Sequence, residues 1–159
     1  MEIFPHLLAL QFLIKNGIKF NQVYNDKGGI KRNQLTALAL LPKFSQSVRQ
    51  NSYLTINRLE LSKNKKQVDF TANIKNTMVG TVSGAICDDI YSLPDDTLIK
   101  WLPSSAHEHD PEHALHYGQV MTLKKAKKLG LGVRYGCQCG MRILDKKVAE
   151  KARNITRKL

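Results

Sequence analysis

The chain has little with which to staple itself together and nothing with which to cross a membrane. It carries three cysteines in 159 residues, an odd number, and two of them, Cys137 and Cys139, are one residue apart. Neighbours that close are badly placed to bridge each other, so a disulfide framework is excluded and reduced thiols are expected. No apolar run reaches the length of a membrane span. The apolar start, Phe4 to Ile14, is broken by His6 and Gln11 and lacks a basic leader and a small-residue cleavage site, so a secretory signal is not expected. Several catalytic signatures are missing as well. There is no phosphate-cradling P-loop, no Gly-x-Ser-x-Gly elbow and no His-Glu-x-x-His. The zinc-deaminase pattern is also absent, because no CxxC exists and His107-Glu108-His109 has the wrong spacing. These absences favour a non-enzymatic role.

Acidic residues are scarce where basic ones are dense. The formal net charge is +12, and residues 124 to 159 hold 12 Lys+Arg against 2 Asp+Glu, a net of +10, which leaves only +2 for the rest. A basic segment of this kind fits a polyanion, most often nucleic acid; the alternative is a solvated helix face that aids solubility. At 42% apolar the chain can bury one core, and its length fits one domain. We expect a single globular unit over residues 1–144, with a knuckle at 101–144, followed by a basic helix over 145–159.

Local patterns predict an α+β fold. Phe4 to Asn16 reads as a short buried helix ended by Gly17. Ile18 to Tyr24 reads as a strand, Asp26 to Gly29 as a turn, and Asn33 to Leu41 as a capped helix stopped by Pro42. Tyr53 to Leu61 and Val68 to Ile74 alternate apolar and polar residues, predicting a central β-hairpin or small antiparallel sheet. Asn76 to Tyr91 fits either helix or strand, and Leu93 to Asp96 is a turn.

The C-terminal third is clearer. Thr122 is placed to cap a helix that Gly130 stops, with Leu123, Ala126 and Leu129 inward and Lys124, Lys125, Lys127 and Lys128 outward. Lysines in a first turn oppose the helix dipole by a few tenths of a kcal/mol each. A bound anion would remove the conflict, and exposure alone would make it tolerable. Asp145 is placed to cap a last helix whose stripe is Val148, Ala152, Ile155 and Leu159, bordered by Lys146, Lys147, Lys151, Arg153, Arg157 and Lys158. That stripe suits docking on the protein itself, on a neighbouring subunit or on a later partner. A membrane surface is the weaker alternative, since the stripe has no aromatic residue and little bulk.

Trp101 to Leu144 holds the only Trp, four of the five His and two of the three Cys. Thiolate and imidazole are good zinc ligands. Cys137 and Cys139 can share a metal only if the chain between them bends sharply, which flanking Gly136 and Gly140 would permit. Upstream partners are His107, His109, Asp110, His113 and His116, with His113 and His116 spaced to share a helical face. A Cys is equally at home as a small buried hydrophobe, and a His as an exposed loop residue. His113 or His116 paired with Cys137 would make a nucleophile–base pair, and a metal could activate water, so a metal-dependent nuclease remains a third reading.

These residues resemble the C-terminal module of phage head-morphogenesis proteins, the Mu F-like minor head proteins. In that family a Trp opens the module, a CxxC precedes an L-x-G-K-x-F segment, and H-P-N-C-R-C closes it. Trp101 matches the opening Trp, Leu115 to Val120 resembles the middle segment around Gly118, and Gly136-Cys137-Gln138-Cys139 resembles N-C-R-C. The likeness covers about a quarter of the chain and does not touch residues 1 to 92. The two CxxC positions fall on Asp110 and His113, and the closing His-Pro falls on Arg134-Tyr135. The resemblance therefore implies a zinc set of Asp110, His113, Cys137 and Cys139, or else a knuckle that has lost its metal and is held by hydrogen bonds from His113. It also implies a role in virion assembly or in handling packaged DNA, beside other head or portal proteins, in the virion or the host cytoplasm. The phosphate-contacting residues would be Lys124, Lys125, Lys127, Lys128, Lys146, Lys147, Lys151, Arg153 and Arg157. The alternative is a small regulatory or inhibitory protein docking on an acidic protein or a nucleoprotein complex.

Overall fold

Ile99 and Trp101 point to one side of an extended segment and Lys100 to the other, and that alternation sets the architecture. The computed structural model describes residues 1–15, 79–80, 82–134, 136–157 and 159. The readings made above for 18–24, 26–29, 33–41 and the 53–74 hairpin lie outside them.

Among the described residues four strands form one antiparallel sheet: β1 (Glu2–Ile3), β2 (Leu98–Leu102), β3 (Val120–Thr122) and β4 (Gly140–Ile143), in spatial order β1-β4-β2-β3. Ile99 stands opposite Met121 on one neighbour and Ile143 on the other, and Trp101 stands opposite Met141. Side chains two apart share a face, so Ile3, Ile99, Trp101, Met121, Met141 and Ile143 all turn into the core. On the other face Glu2 pairs with Arg142 in an exposed ion bridge of 2.5 Å.

Helices cover the inner face. They are α1 (Pro5–Lys15), α2 (82–90), a one-turn α3 (Pro111–Ala114), α4 (Leu123–Lys128) and α5 (Lys146–Arg157). Leu13, Ile86, Ile90, Leu123, Ala126, Val148 and Ala152 join the strand residues in one apolar cluster. The fold is α+β with a small antiparallel sheet, as the patterning anticipates, built from segments other than the 53–74 hairpin, which lies outside the described residues. Three of the four strands have four residues or fewer, too few for alternation to stand out from a single sequence. Their pairing is entirely long-range.

The C-terminal capping expectations hold. Thr122 has extended backbone (φ −74°, ψ 153°) and its Oγ1 accepts the Lys125 N–H at 3.2 Å. Asp145 Oδ1 accepts from the backbone N–H groups of Lys147 and Val148, at 2.9 and 3.2 Å. The α5 stripe docks on the protein itself: Val148, Ala149 and Ala152 are buried, and Ile155 and Leu159 pack against the same core. The segment over 79–80 and 82–90 is helical, which settles the ambiguity in 76–91 in favour of helix for the described part. The turn at Leu93 to Asp96 is present, closed by Thr97 N–H donating to the Pro94 carbonyl at 3.1 Å. Among the described residues no helix is long and apolar enough to cross a membrane.

Candidate metal centre

The connections between strands deliver the chemistry. Between β2 and β3 the chain makes α3, which carries His113. Between α4 and β4 it makes a glycine-rich loop that ends in Cys137 and Cys139. Gly136 in that loop has φ +76°, a left-handed conformation that costs a residue with a Cβ about 1 kcal/mol or more. It reverses the chain just before Cys137. Gly140 is glycine for a different reason: its φ is not in that region, but an added Cβ would meet the Phe4 ring at 2.5 Å.

His113, Cys137 and Cys139 meet beneath the sheet, all three buried, with their ligand atoms within 4.8 Å of one another. His113 Nδ1 lies 3.4 Å from Cys137 Sγ and 3.9 Å from Cys139 Sγ. On the far side of the ring, Nε2 is 2.9 Å from the Leu129 carbonyl. A carbonyl only accepts, so Nε2 carries the proton and, in the neutral ring, Nδ1 presents its lone pair to the sulfurs. Such a backbone anchor on the second nitrogen is a regular companion of a metal-ligating imidazole.

Donors converge on Cys137. The Cys139 thiol hydrogen-bonds to it, and the Gly132 N–H approaches its sulfur at 3.1 Å. The bond from Cys139, then the backbone N–H groups of Gly132 and Cys139, hold the Cys137 thiol down to about 5 despite burial. Cys139 moves the other way. It keeps the proton that it donates to Cys137, and burial pushes it further up. The two sulfurs are thus pulled in opposite directions, Cys137 toward the thiolate and Cys139 toward the thiol. Cys87, nearby in the core, is pushed up by burial first and then by Cys137, and Tyr91 by burial first and then by Cys87 and Cys137.

The donor set fits a zinc ion. Ordinary Zn–S and Zn–N bonds in a tetrahedron hold their ligand atoms roughly 3.5–3.8 Å apart, close to the two distances from His113 Nδ1. Trp101 is fully buried beside this group, its ring 4.9 Å from that of His113, and its Nε1 has no hydrogen-bond partner among the described residues. An orphaned N–H in a dry core costs about 1–3 kcal/mol.

Asp110, the other residue implied as a ligand, is placed elsewhere. Its Oδ1 caps α3 by accepting the Glu112 N–H at 3.0 Å, and its Oδ2 is 3.2 Å from Arg134 Nε. Arg134 also binds Glu112 at 2.5 Å. A carboxylate that close before a helix satisfies the free N–H groups of the first turn, and this use competes with ligation. The other histidines stay outside the group too. His109 Nδ1 is 2.7 Å from the Tyr117 hydroxyl, and His116 Nδ1 is 3.1 Å from Gln119 Oε1. His116 does not share a helical face with His113, because α3 ends at Ala114, and its ring lies 5.2 Å from that of Trp101. His107 is exposed. The Leu129 carbonyl, which anchors His113 Nε2, was invisible as a site member in the sequence.

The nine cationic residues expected to meet phosphates are all exposed: Lys124, Lys125, Lys127 and Lys128 on α4, and Lys146, Lys147, Lys151, Arg153 and Arg157 on α5. Arg153 pairs with Glu150 at 3.0 Å, and the Lys127 ammonium lies 5.9 Å from the centre of the Tyr91 ring. Comparison of the chain with protein-family models, with curated proteins and with solved structures found no match.

Proposed function

We propose that this protein is a non-enzymatic phage head-morphogenesis protein, acting in virion assembly or DNA packaging, whose zinc-clipped knuckle holds a basic surface against nucleic acid. The reading begins from the resemblance of Trp101 to Met141 to the Mu F-like minor head proteins. The observation that carries the nucleic-acid part is the exposure of all nine cationic residues on two helices whose apolar sides are buried. A helix docked in this way cannot turn its charges inward, so its cations stay available to phosphates. Binding through phosphates is strong at low salt and indifferent to sequence.

His113, Cys137 and Cys139 would hold the zinc, which would supply a cross-link between α3 and the loop joining α4 to β4. Burial of all three ligands disfavours a site that must admit a phosphodiester, and a structural clip would need a fourth donor to close the zinc tetrahedron. The partners implied are nucleic acid and other head or portal proteins.

Titration of DNA and RNA duplexes at several salt concentrations, alongside metal analysis of the purified protein, tests this. We expect about one zinc per chain, affinity that falls steeply with salt for any sequence, and no chelator-sensitive cleavage. Affinity that stays flat from low to moderate salt overturns the nucleic-acid role. Chelator-sensitive cleavage overturns the non-enzymatic one.

A further inference from the structure

The peptide joining Leu131 to Gly132 is gripped at both of its polar ends. The Tyr91 hydroxyl donates to the Leu131 carbonyl at 2.6 Å. The Gly132 N–H donates to Cys137 Sγ at 3.1 Å. Carbonyl and N–H belong to one trans peptide and point in opposite directions. A chain of hydrogen bonds therefore runs from the phenol through the peptide to the sulfur. Tyr91, Leu131 and Cys137 are all buried. Tyr91 lies one turn beyond Cys87 at the end of α2, and its own N–H donates to the Cys87 carbonyl at 2.7 Å. Cys87 in turn walls in the same peptide, since a Cβ at Gly132 would lie 2.7 Å from Cys87 Sγ. The end of α2 thus fixes this peptide by a bond on one side and by contact on another.

A buried phenol needs an acceptor, and many carbonyls would serve. This one belongs to the peptide whose N–H meets a metal ligand. Drawing density toward the carbonyl oxygen makes the N–H of the same amide a better donor, and bonds in such a buried chain strengthen one another. A metal-bound thiolate is stabilised by each donor directed at it. We propose that Tyr91 is a positioning residue of the metal centre: acting through the Leu131–Gly132 peptide, it aims the Gly132 N–H at the Cys137 sulfur and strengthens that bond. This rests on the zinc reading given above and extends it to the layer behind Cys137. The same loop already serves the imidazole, through the Leu129 carbonyl at 2.9 Å from His113 Nε2. One short stretch of backbone thereby supplies an acceptor to one ligand and a donor to another.

The test uses the full chain loaded with zinc and, separately, with an NMR-active cadmium isotope. Zinc affinity is read by competition with a chromophoric chelator. The Gly132 N–H is read by its proton shift and by its scalar coupling to cadmium across the sulfur. Tyr91→Phe removes one oxygen and keeps the ring. We expect the wild-type protein to show the coupling at Gly132. In Tyr91→Phe we expect the coupling to shrink, the Gly132 proton to move upfield and zinc affinity to fall by about 10-fold or more, the usual scale for losing a partner behind a ligand. A purely packing role for Tyr91 would lower the melting temperature and leave the Gly132 signals of the loaded protein in place. If Tyr91→Phe proves too damaging to fold, fluorotyrosine incorporated into the wild-type chain decides the matter. It makes the phenol a stronger donor, so the Gly132 proton should move downfield, and an unmoved proton overturns the proposal. A wild-type protein that binds one metal without coupling at Gly132 overturns the proposal while sparing the zinc site. So does a Tyr91→Phe protein with the same coupling and the same affinity. A wild-type protein that takes up neither metal overturns both.

Discussion

The His113 ring is bonded at Nε2 to the Leu129 carbonyl, 2.9 Å away, and that one contact decides which nitrogen faces the sulfurs. The same carbonyl lies just after α4, so the helix bearing four lysines and the imidazole are held in a single arrangement. In the zinc-loaded protein we expect one histidine to show Nδ1 coordination with Nε2 protonated in nitrogen-resolved NMR. We also expect His113→Ala to abolish stoichiometric zinc. Coordination through Nε2 instead would mean that the Leu129 bond is not formed in solution.

The two cysteines shift in opposite directions, and stability should follow. In metal-free protein Cys137 ionises near pH 5 because of the hydrogen bond from Cys139, whereas a cysteine in an unfolded chain ionises near about 8.5. Between those values the native state binds fewer protons than the unfolded state, so this contribution rises with pH. It is complete above about 8.5 and is lost as pH falls through 5. Cys139, Cys87 and Tyr91 are raised in the fold. Their effect is fully present below the unfolded values and is lost at higher pH, where the unfolded chain releases protons that the native state keeps. Denaturant melts of the metal-free protein against its Cys137→Ser variant should therefore show a stability gap that narrows from pH 8 to pH 5. A gap independent of pH would remove the thiolate assignment.

Asp110 separates capping from ligation. Asp110→Asn keeps a side-chain oxygen for the Glu112 N–H and loses only the exposed pair with Arg134, worth up to about 1 kcal/mol. Zinc affinity should change by only a few-fold. Asp110→Ala should cost a further ~1 kcal/mol of stability as the cap is lost. A collapse of zinc affinity in Asp110→Asn would return this carboxylate to the coordination sphere.

If α4 meets phosphates, its lysines should appear in the salt dependence. Replacing Lys124, Lys125, Lys127 and Lys128 by Gln should flatten the plot of log affinity against log salt by about 0.9 for each duplex phosphate that is no longer neutralised. The weakening should be equal for unrelated sequences. Thermal melts serve as the control, since all four side chains are exposed.

Gly140→Ala should destabilise by roughly 1–3 kcal/mol, the range for forcing an atom into a packed site. The new Cβ would meet the Phe4 ring at 2.5 Å and the Ile3 carbonyl at 2.8 Å. Combining it with Phe4→Ala should recover part of that loss, because the ring clash is removed while the carbonyl clash remains. Melts showing no recovery would place the conflict on the backbone alone.

The parts legible in the sequence were those governed by neighbours along the chain. Thr122 and Asp145 are recognisable caps because a side-chain oxygen two or three residues before a free N–H needs no distant partner. The inward stripe of α4 and α5 and the outward lysines follow from helical spacing alone. The knuckle's Cys137 and Cys139 stand out by type and spacing, and His113 by its place in the resemblance.

What the tertiary structure decided was which of the many candidate groups meet. Five upstream residues were chemically suitable partners for the two cysteines, and only His113 faces them. Asp110 sits three residues away and spends its carboxylate on a helix end and an arginine. The strands were likewise decided at a distance: two to five residues each, they exist because β2 finds β3 and β4 across 17 or more intervening residues. Trp101, conspicuous from the start as the lone tryptophan, meets the His113 ring only once the fold brings β2 and α3 together. Local hydrogen bonding and periodicity are written residue by residue, whereas convergence on a buried sulfur depends on how the whole chain packs.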